Sequence, residues 1–265
     1  MKTALCLSGH MRTYKDTAAA LRENLIKPLN ADVFIHTWDL RDHSGRDEWD
    51  DINDDDYQEL EKYLNPKKVL VQQQSEYSKF IKKIVEDYNL SAILNNVPEA
   101  VFSMYYKRRE SFKMLANINE KYDLVILSRP DLILTNNNED LQVNQPYSFG
   151  DFDLSKISMA PSERAMKYNS IEHKVSGKLI GGHGAFEQYS DIFMAGSYEN
   201  MEKMSMLYEH IMLYLSKGCP LHAEKLLIYH CMVNNFEIHS LPGSFGIIRE
   251  ISFEKYMQQG KKIRL

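Results

Sequence analysis

The chain has 265 residues, 43% of them hydrophobic and 26% charged, a balance that excludes wholesale disorder and accommodates one large domain or two small ones. Lys and Arg number 32 against 37 Asp and Glu; the net charge of −5 excludes the broad basic surface of a general nucleic-acid binder but leaves room for a small phosphorylated ligand held by local cations. The three cysteines, Cys6, Cys219 and Cys231, form no C-x-x-C pair, which argues against a zinc site or a disulfide framework and for a reducing compartment.

The first apolar run, Thr3 to Leu7, predicts a short buried strand closed by a turn at Ser8, Gly9 and His10. It is too short for the apolar region of a signal peptide. No later stretch approaches the roughly 18 apolar residues of a membrane span, so the expectation is a soluble cytoplasmic protein with no transmembrane segment. Thr13 to Leu29 reads as a helix, with Leu21, Leu25 and Ile26 on one stripe, Asp16 and Thr17 as caps and Pro28 near its end. Ala31 to Trp38 is a second strand. Strand, helix, strand in this order predicts a βαβ unit and hence a parallel sheet.

Asp39 to Asp56 is a polar loop with an acidic core from Asp47. In register from Asp51, Asn53 and Asp55 match a calcium loop. The sixth position is Asp56 rather than Gly and the twelfth is Lys62 rather than Glu, so the EF-hand reading is rejected in favour of a solvated loop. Lys68 to Val71 is a third strand. Tyr77 to Asn89 reads as a helix carrying Phe80, Ile81, Ile84 and Tyr88 on one side, and Glu99 to Lys121 as a longer one. On the latter, Lys107, Arg108 and Arg109 read as a solvated face from which Lys107 or Arg108 can turn toward an anionic ligand. Tyr122 to Leu127 is a strand that runs into Ser128, Arg129, Pro130 and Asp131.

From 136 to 188 the pattern weakens into an irregular, glycine-bearing stretch of the kind that forms substrate loops. Asp191 to Ala195 is another strand. Ser197 caps a helix with the stripe Met201, Met204, Tyr208, Ile211 and Leu215, which Gly218 and Pro220 stop. His222 to Asn234 is a further helix, and Phe236 to Ile238 and Gly246 to Arg249 are closing strands. No repeat or composition shift marks a boundary. The reading is a single α/β domain over 1–265, with a mostly parallel central sheet flanked by helices.

Ligands bind open α/β sheets at the carboxyl ends of the strands, and three polar clusters fall at strand termini. In the first, Ser8, Gly9, His10, Arg12 and Thr13 form a glycine turn entering a helix N-terminus, suited to a phosphate or diphosphate. It matches neither G-x-G-x-x-G nor the P-loop pattern. In the second, Asp131 can ligate a divalent cation and Arg129 can pair with a phosphate or carboxylate. In the third, Asp191 is a candidate general base, with Glu224 second; His222 reads as a surface helix start. Trp38 and Asp39 end their strand where a base or sugar can stack and hydrogen-bond, while His36 reads as a half-buried, hydrogen-bonded strand residue.

Three segments, Ala4 to Thr13 (ALCLSGHMRT), Asn30 to Trp38 (NADVFIHTW) and Tyr122 to Leu132 (YDLVILSRPDL), occur in an order that resembles a group of bacterial and viral glycosyltransferase-like proteins of surface-polysaccharide biosynthesis. Asp191 to Ser197 and His222 to Leu227 are similar to that group's downstream blocks. The resemblance implies a GT-A-like (Rossmann-like) domain that transfers a sugar from a nucleotide-sugar donor to a saccharide or lipid-linked glycan acceptor. It implies that Ser8, Gly9 and Arg12 hold the donor diphosphate and that Asp39 lies near the nucleoside. Arg129 and Asp131 then stand in place of the D-x-D motif, which in GT-A enzymes binds manganese or magnesium; Arg129 replaces the first carboxylate. A sugar-phosphate nucleotidyltransferase and a catalytically inactive nucleotide- or sugar-binding module stay open as alternatives.

Overall fold

The computed structural model describes residues 1–40, 54–91, 97–116, 118, 120–135, 152–161, 173–175, 178–180, 189–241 and 244–247. Strand β1 (Thr3–Gly9) is buried on both faces, with Ala4 and Cys6 in one apolar cluster and Leu5 and Leu7 in the other. A strand covered on both sides reads as continuously apolar instead of alternating. Helix α1 (Tyr14–Leu21) passes through a π turn (Arg22–Ile26) into α2 (Lys27–Leu29), and Asn30 in the left-handed region (φ 44°) ends the run. This crossover leads to β2 (Asp32–Trp38), parallel to β1 with Leu5 opposite Val33.

Helix α3 (Asp54–Leu64) corrects the expected loop: Asp54, Asp55 and Asp56 open a helix that buries Leu60 and Leu64. Residues 41–53 of that loop lie outside the described residues. Strand β3 (Lys68–Gln72) pairs parallel with β2. Helix α4 (Gln74–Asp87) buries Tyr77 and Ile81 and leaves Phe80 and Tyr88 exposed, so its inner face is rotated from the expected one. Helix α5 (Pro98–Ala116) is followed by β4 (Leu124–Ser128), parallel to β1.

The remaining strands are β5 (Leu132–Thr135), β6 (Ile157–Pro161), β7 (His173–Val175), β8 (Lys178–Ile180), β9 (Tyr189–Ser197), β10 (Ile238–Ser240) and β11 (Ser244–Ile247). The remaining helices are α6 (Tyr198–Ser205), α7 (Leu207–Ser216) and α8 (Ala223–Val233). Ser197 Oγ accepts the Asn200 N–H as the cap of α6, and Gly218 (φ 87°) follows the end of α7. Most of the expected irregular stretch 136–188 lies outside the described residues, apart from β6, its approach and the β7–β8 hairpin.

The main sheet has seven strands in the order β10-β6-β9-β4-β1-β2-β3. Strand β9 is antiparallel to both neighbours, and every other pairing is parallel, as the mostly parallel expectation requires. Strands β5 and β11 form a separate antiparallel ribbon instead of closing the sheet. Helices α4 to α8 cover one face of the sheet and α1 and α3 the other. Among the described residues, no helix is long and apolar enough to cross a membrane. Because β9 is reversed, its first residues lie at the same edge as the carboxyl ends of β1, β2 and β4. Phe193 faces Ser128, two residues on from Asp191.

Candidate functional site

The turn from β1 to α1 is conformationally unusual. Gly9 has φ 113° and Arg12 has φ 39°, so a non-glycine residue sits in the left-handed region. Such a conformation costs of order 1–3 kcal/mol and persists only where neighbouring contacts impose it. Ser8 and Thr13 are buried at its two ends. Thr17 does not cap α1; its Oγ1 donates across to the Pro130 carbonyl at 2.5 Å, stitching α1 to the turn after β4.

A second stitch carries charge. Asp131 is fully buried, and Arg129 grips it with a two-pronged fork, Nε to Oδ1 at 2.8 Å and Nη2 to Oδ2 at 2.7 Å. Arg12 Nη1 donates to the same Oδ2 at 3.3 Å. Burial works against the carboxylate charge, but the Arg129 and Arg12 guanidiniums outweigh it and hold the Asp131 carboxyl below its ordinary value. A divalent cation of the magnesium or calcium kind requires several oxygen ligands at about 2.0–2.6 Å. This turn offers a single carboxylate already paired with two cations, so the donor set does not fit one. Among the described residues there is no cluster of three or more His, Cys, Asp or Glu side chains suited to a metal.

The third cluster adjoins the second. Asp191 is nearly buried at the start of β9, where Arg108 of α5 donates Nη2 to its carbonyl and lies 3.7 Å from its Oδ2. Burial raises the Asp191 carboxyl above its ordinary value; Arg108 opposes this, Glu224 adds to it, and the charge of Arg129 also reaches it. At the start of α8, Glu224 lies 3.1 Å from His222 Nδ1. Burial by itself would push Glu224 up, but His222, the backbone and Arg108 bring it below the ordinary value. The two carboxyls are thus pushed in opposite directions, Asp191 up and Glu224 down, and the charge of Glu224 reaches Asp191. Tyr105 Oη anchors the start of α8 by donating to the Ala223 carbonyl at 2.6 Å.

Asp39 and His10 meet through Gln74. Asp39 Oδ1 accepts the Gln74 N–H at 2.9 Å, and His10 Nε2 lies 2.8 Å from Gln74 Oε1. Trp38 does not present a stacking surface: it is 1% exposed, with Tyr77, Tyr106 and His10 around its ring and Lys107 Nζ 3.4 Å from its centroid. Lys107 is buried rather than solvated, donating to the Thr37 carbonyl at 2.8 Å and to Gln72 Oε1 at 3.3 Å. Burial pushes its amine down to about 6. His36 is fully buried against Tyr106, and its Nδ1 has no hydrogen-bond partner, contrary to the expected hydrogen-bonded residue.

The structure therefore brings Arg12, Arg129 and Asp131 into contact, with Ser8, Gly9 and Thr13 in the adjoining turn; Asp191 feels the charge of Arg129, and Glu224 joins through Asp191 and Arg108. Asp39 and His10 gather around Gln74 at the ends of β2 and β3. Lys107 is the exception, enclosed under Trp38. The run Lys107–Arg109 reads as a solvated face from which Lys107 or Arg108 can turn; both point inward, and it is Arg108 that reaches the candidate site, at Asp191. Sequence reasoning undervalued His222, whose partner two residues on, Glu224, was the available signal.

No protein-family model and no curated relative matches the chain. Among solved structures, the crystal structure of mouse xyloside xylosyltransferase 1 in its apo form aligns at 11% sequence identity and a TM-score of 0.43, over 91% of this chain and 84% of that one. A likeness at that level carries no argument about the site.

Proposed function

We propose that the protein is a nucleotide-sugar-dependent glycosyltransferase acting on a saccharide or lipid-linked glycan. The observation that carries this reading is the strand-end grouping of Arg12, Arg129 and Asp131 with Asp191, which feels the charge of Arg129 and that of Glu224 at the start of α8. The sequence blocks that resemble polysaccharide-building glycosyltransferases lie on these same elements, and a largely parallel sheet with one reversed strand is consistent with a Rossmann-like glycosyltransferase fold.

The chemistry needs both halves. The bond from the sugar anomeric carbon to the donor diphosphate breaks, and the nucleoside diphosphate leaves with the bonding pair. Fixed positive charge at that position stabilises the charge as it grows. The acceptor oxygen forms the new bond to the anomeric carbon, and its proton passes to Asp191, whose raised affinity for protons suits a base. Glu224, held ionised, remains the fixed negative neighbour. Asp39 lies on the side where the nucleoside would sit.

The test is nucleoside diphosphate release from a panel of nucleotide sugars, with and without glycan acceptors. We expect release with at least one donor. Asp191→Asn should lower turnover by about 10²–10⁴-fold with donor affinity kept. Pyrophosphate release from a nucleoside triphosphate and a sugar phosphate would replace this reading with nucleotidyl transfer. Donor binding without any turnover would make the chain a binding module.

A further inference from the structure

We infer that Arg108 is the positioning residue of Asp191: it fixes the start of β9 through the Asp191 carbonyl and takes the Asp191 carboxylate into a hydrogen bond when that group is ionised. The inference deepens the glycosyl-transfer reading and rests on Asp191 as its base.

Three observations carry it. First, Arg108 is 3% exposed, and its Nη1 has no hydrogen-bond partner among the described residues. An unpaired donor on a buried charged group is costly, and an arginine that served packing alone would have it bonded. Second, Asp191 Oδ2 lies 3.7 Å from Arg108 Nη2, which is given to the Asp191 carbonyl. That gap exceeds a charge-assisted hydrogen bond by about 1 Å, a distance that rotation of the Asp191 side chain covers. Third, Arg108 is held on a rigid element. Tyr105, three residues earlier on the same face of α5, sets its ring centroid 5.3 Å from the guanidinium carbon, and its hydroxyl donates to the Ala223 carbonyl beside Glu224. One face of α5 thus ties the start of β9 to the start of α8.

The charge balance agrees. The charged and titratable groups that act on Asp191 are Arg108 and Tyr105 of α5, Glu224 of α8 and Arg129 after β4. Burial and Glu224 favour the protonated carboxyl, and Arg108 is the foremost group opposing them. A base has to be ionised before it can take a proton. Arg108 supplies the cation that allows this in a buried place beside Glu224, which it also holds down. It acts on the reaction through Asp191 and is a positioning residue, not a catalytic one.

Carboxyl-carbon NMR of the whole protein, isotope-labelled at its aspartates, reads the Asp191 titration without substrate, with Asp191→Asn to assign the signal. The midpoint should rise by about one pH unit or more in Arg108→Met, about a tenfold gain in proton affinity. It should rise less in Arg108→Lys, which keeps the charge and loses the fork. The acid limb of kcat/KM with an accepted donor should move the same way, whereas a variant that is merely less stable leaves its midpoint in place. A thermal melt reports whether each variant folds. If neither does, nitrogen NMR of the wild-type arginine side chains decides: one guanidinium signal should follow the Asp191 midpoint and lose that dependence in Asp191→Asn. An Asp191 midpoint unchanged in folded Arg108→Met, or no arginine signal that follows it, overturns the inference and leaves glycosyl transfer standing. A shifted midpoint with an unshifted kcat/KM profile also overturns it, because Asp191 is then not the base. Absence of turnover with every donor in the wild type overturns the glycosyl-transfer reading instead, and the NMR midpoints then decide the Arg108–Asp191 pair by themselves.

Discussion

At the scale of single residues, Lys107 shows how burial resets chemistry. Folded Lys107 stays neutral down to about pH 6, whereas the ordinary lysine value is 10.5, so between these limits the unfolded chain binds the extra proton. Stability from this group is therefore complete above pH 10.5 and falls as pH drops toward 6, with a slope of up to about 1.4 kcal/mol per pH unit. Lys107→Met keeps an unbranched chain under Trp38 and removes the titration. Urea denaturation at about pH 7 and about pH 9 should show a marked difference for the wild type and a much smaller one for the variant. An equal difference in both would mean that Lys107 titrates normally. The same residue shows why single-residue readings from sequence fail here. A charge run such as Lys107 to Arg109 is solvated on most helices, but α5 packs against the sheet with α4, α6 and α7 around it, and the cations find partners inside.

At the scale of elements, α6, α7 and α8 are tied through one histidine. His230 Nε2 lies 2.8 Å from the Lys203 carbonyl, which can only accept, so Nε2 carries the proton and Nδ1 accepts from Tyr214 Oη at 2.7 Å. Burial pushes His230 down to about 4, against a contribution from the Lys203 carbonyl that favours the charged ring. The neutral ring is the one that fits, and the unfolded chain takes up a proton below the ordinary value of 6.5, so stability is lost as pH falls from 6.5 toward 4. Tyr214→Phe should cost about 1 kcal/mol by removing the donor to Nδ1, read from denaturation midpoints at neutral pH. No change would show that the contact is idle.

Elements also mark what periodicity could convey. The β1, β2, β4 and β9 runs were legible because strands buried on both faces need unbroken apolar sequence. Helix α3 was not, because its opening Asp54, Asp55 and Asp56 read as loop and mask the inner residues Leu60 and Leu64 that follow. The direction of β9 was invisible for a physical reason: a strand packed on both faces has the same residue pattern whichever way it runs. That direction is what puts Asp191 at the edge formed by the carboxyl ends of β1, β2 and β4.

At the scale of the whole molecule, one sheet serves two cores. Ile126 and Leu127 are neighbours on β4, yet Ile126 belongs to the α1–α3 side and Leu127 to the α4–α8 side. Both are essentially unexposed, so Ile126→Ala and Leu127→Ala should each cost about 2–5 kcal/mol. Because the strand is shared, both should lower one common transition in calorimetry and circular dichroism, as a single domain requires. Two transitions that respond separately would split the chain into two units.

The sequence by itself determined the layered α/β class, the order of the main strands and helices, and the placement of Arg12, Arg129 and Asp191 at strand termini. These follow from local apolar runs, caps and breakers, which act over a few residues. Only the tertiary structure decided that Asp131 is locked between Arg129 and Arg12, that Arg108 reaches Asp191 and that Lys107 lies under Trp38. Each of these depends on which strand neighbours which and in what direction, and on the low dielectric of a covered sheet edge, where charges far apart in the chain become one another's nearest partners.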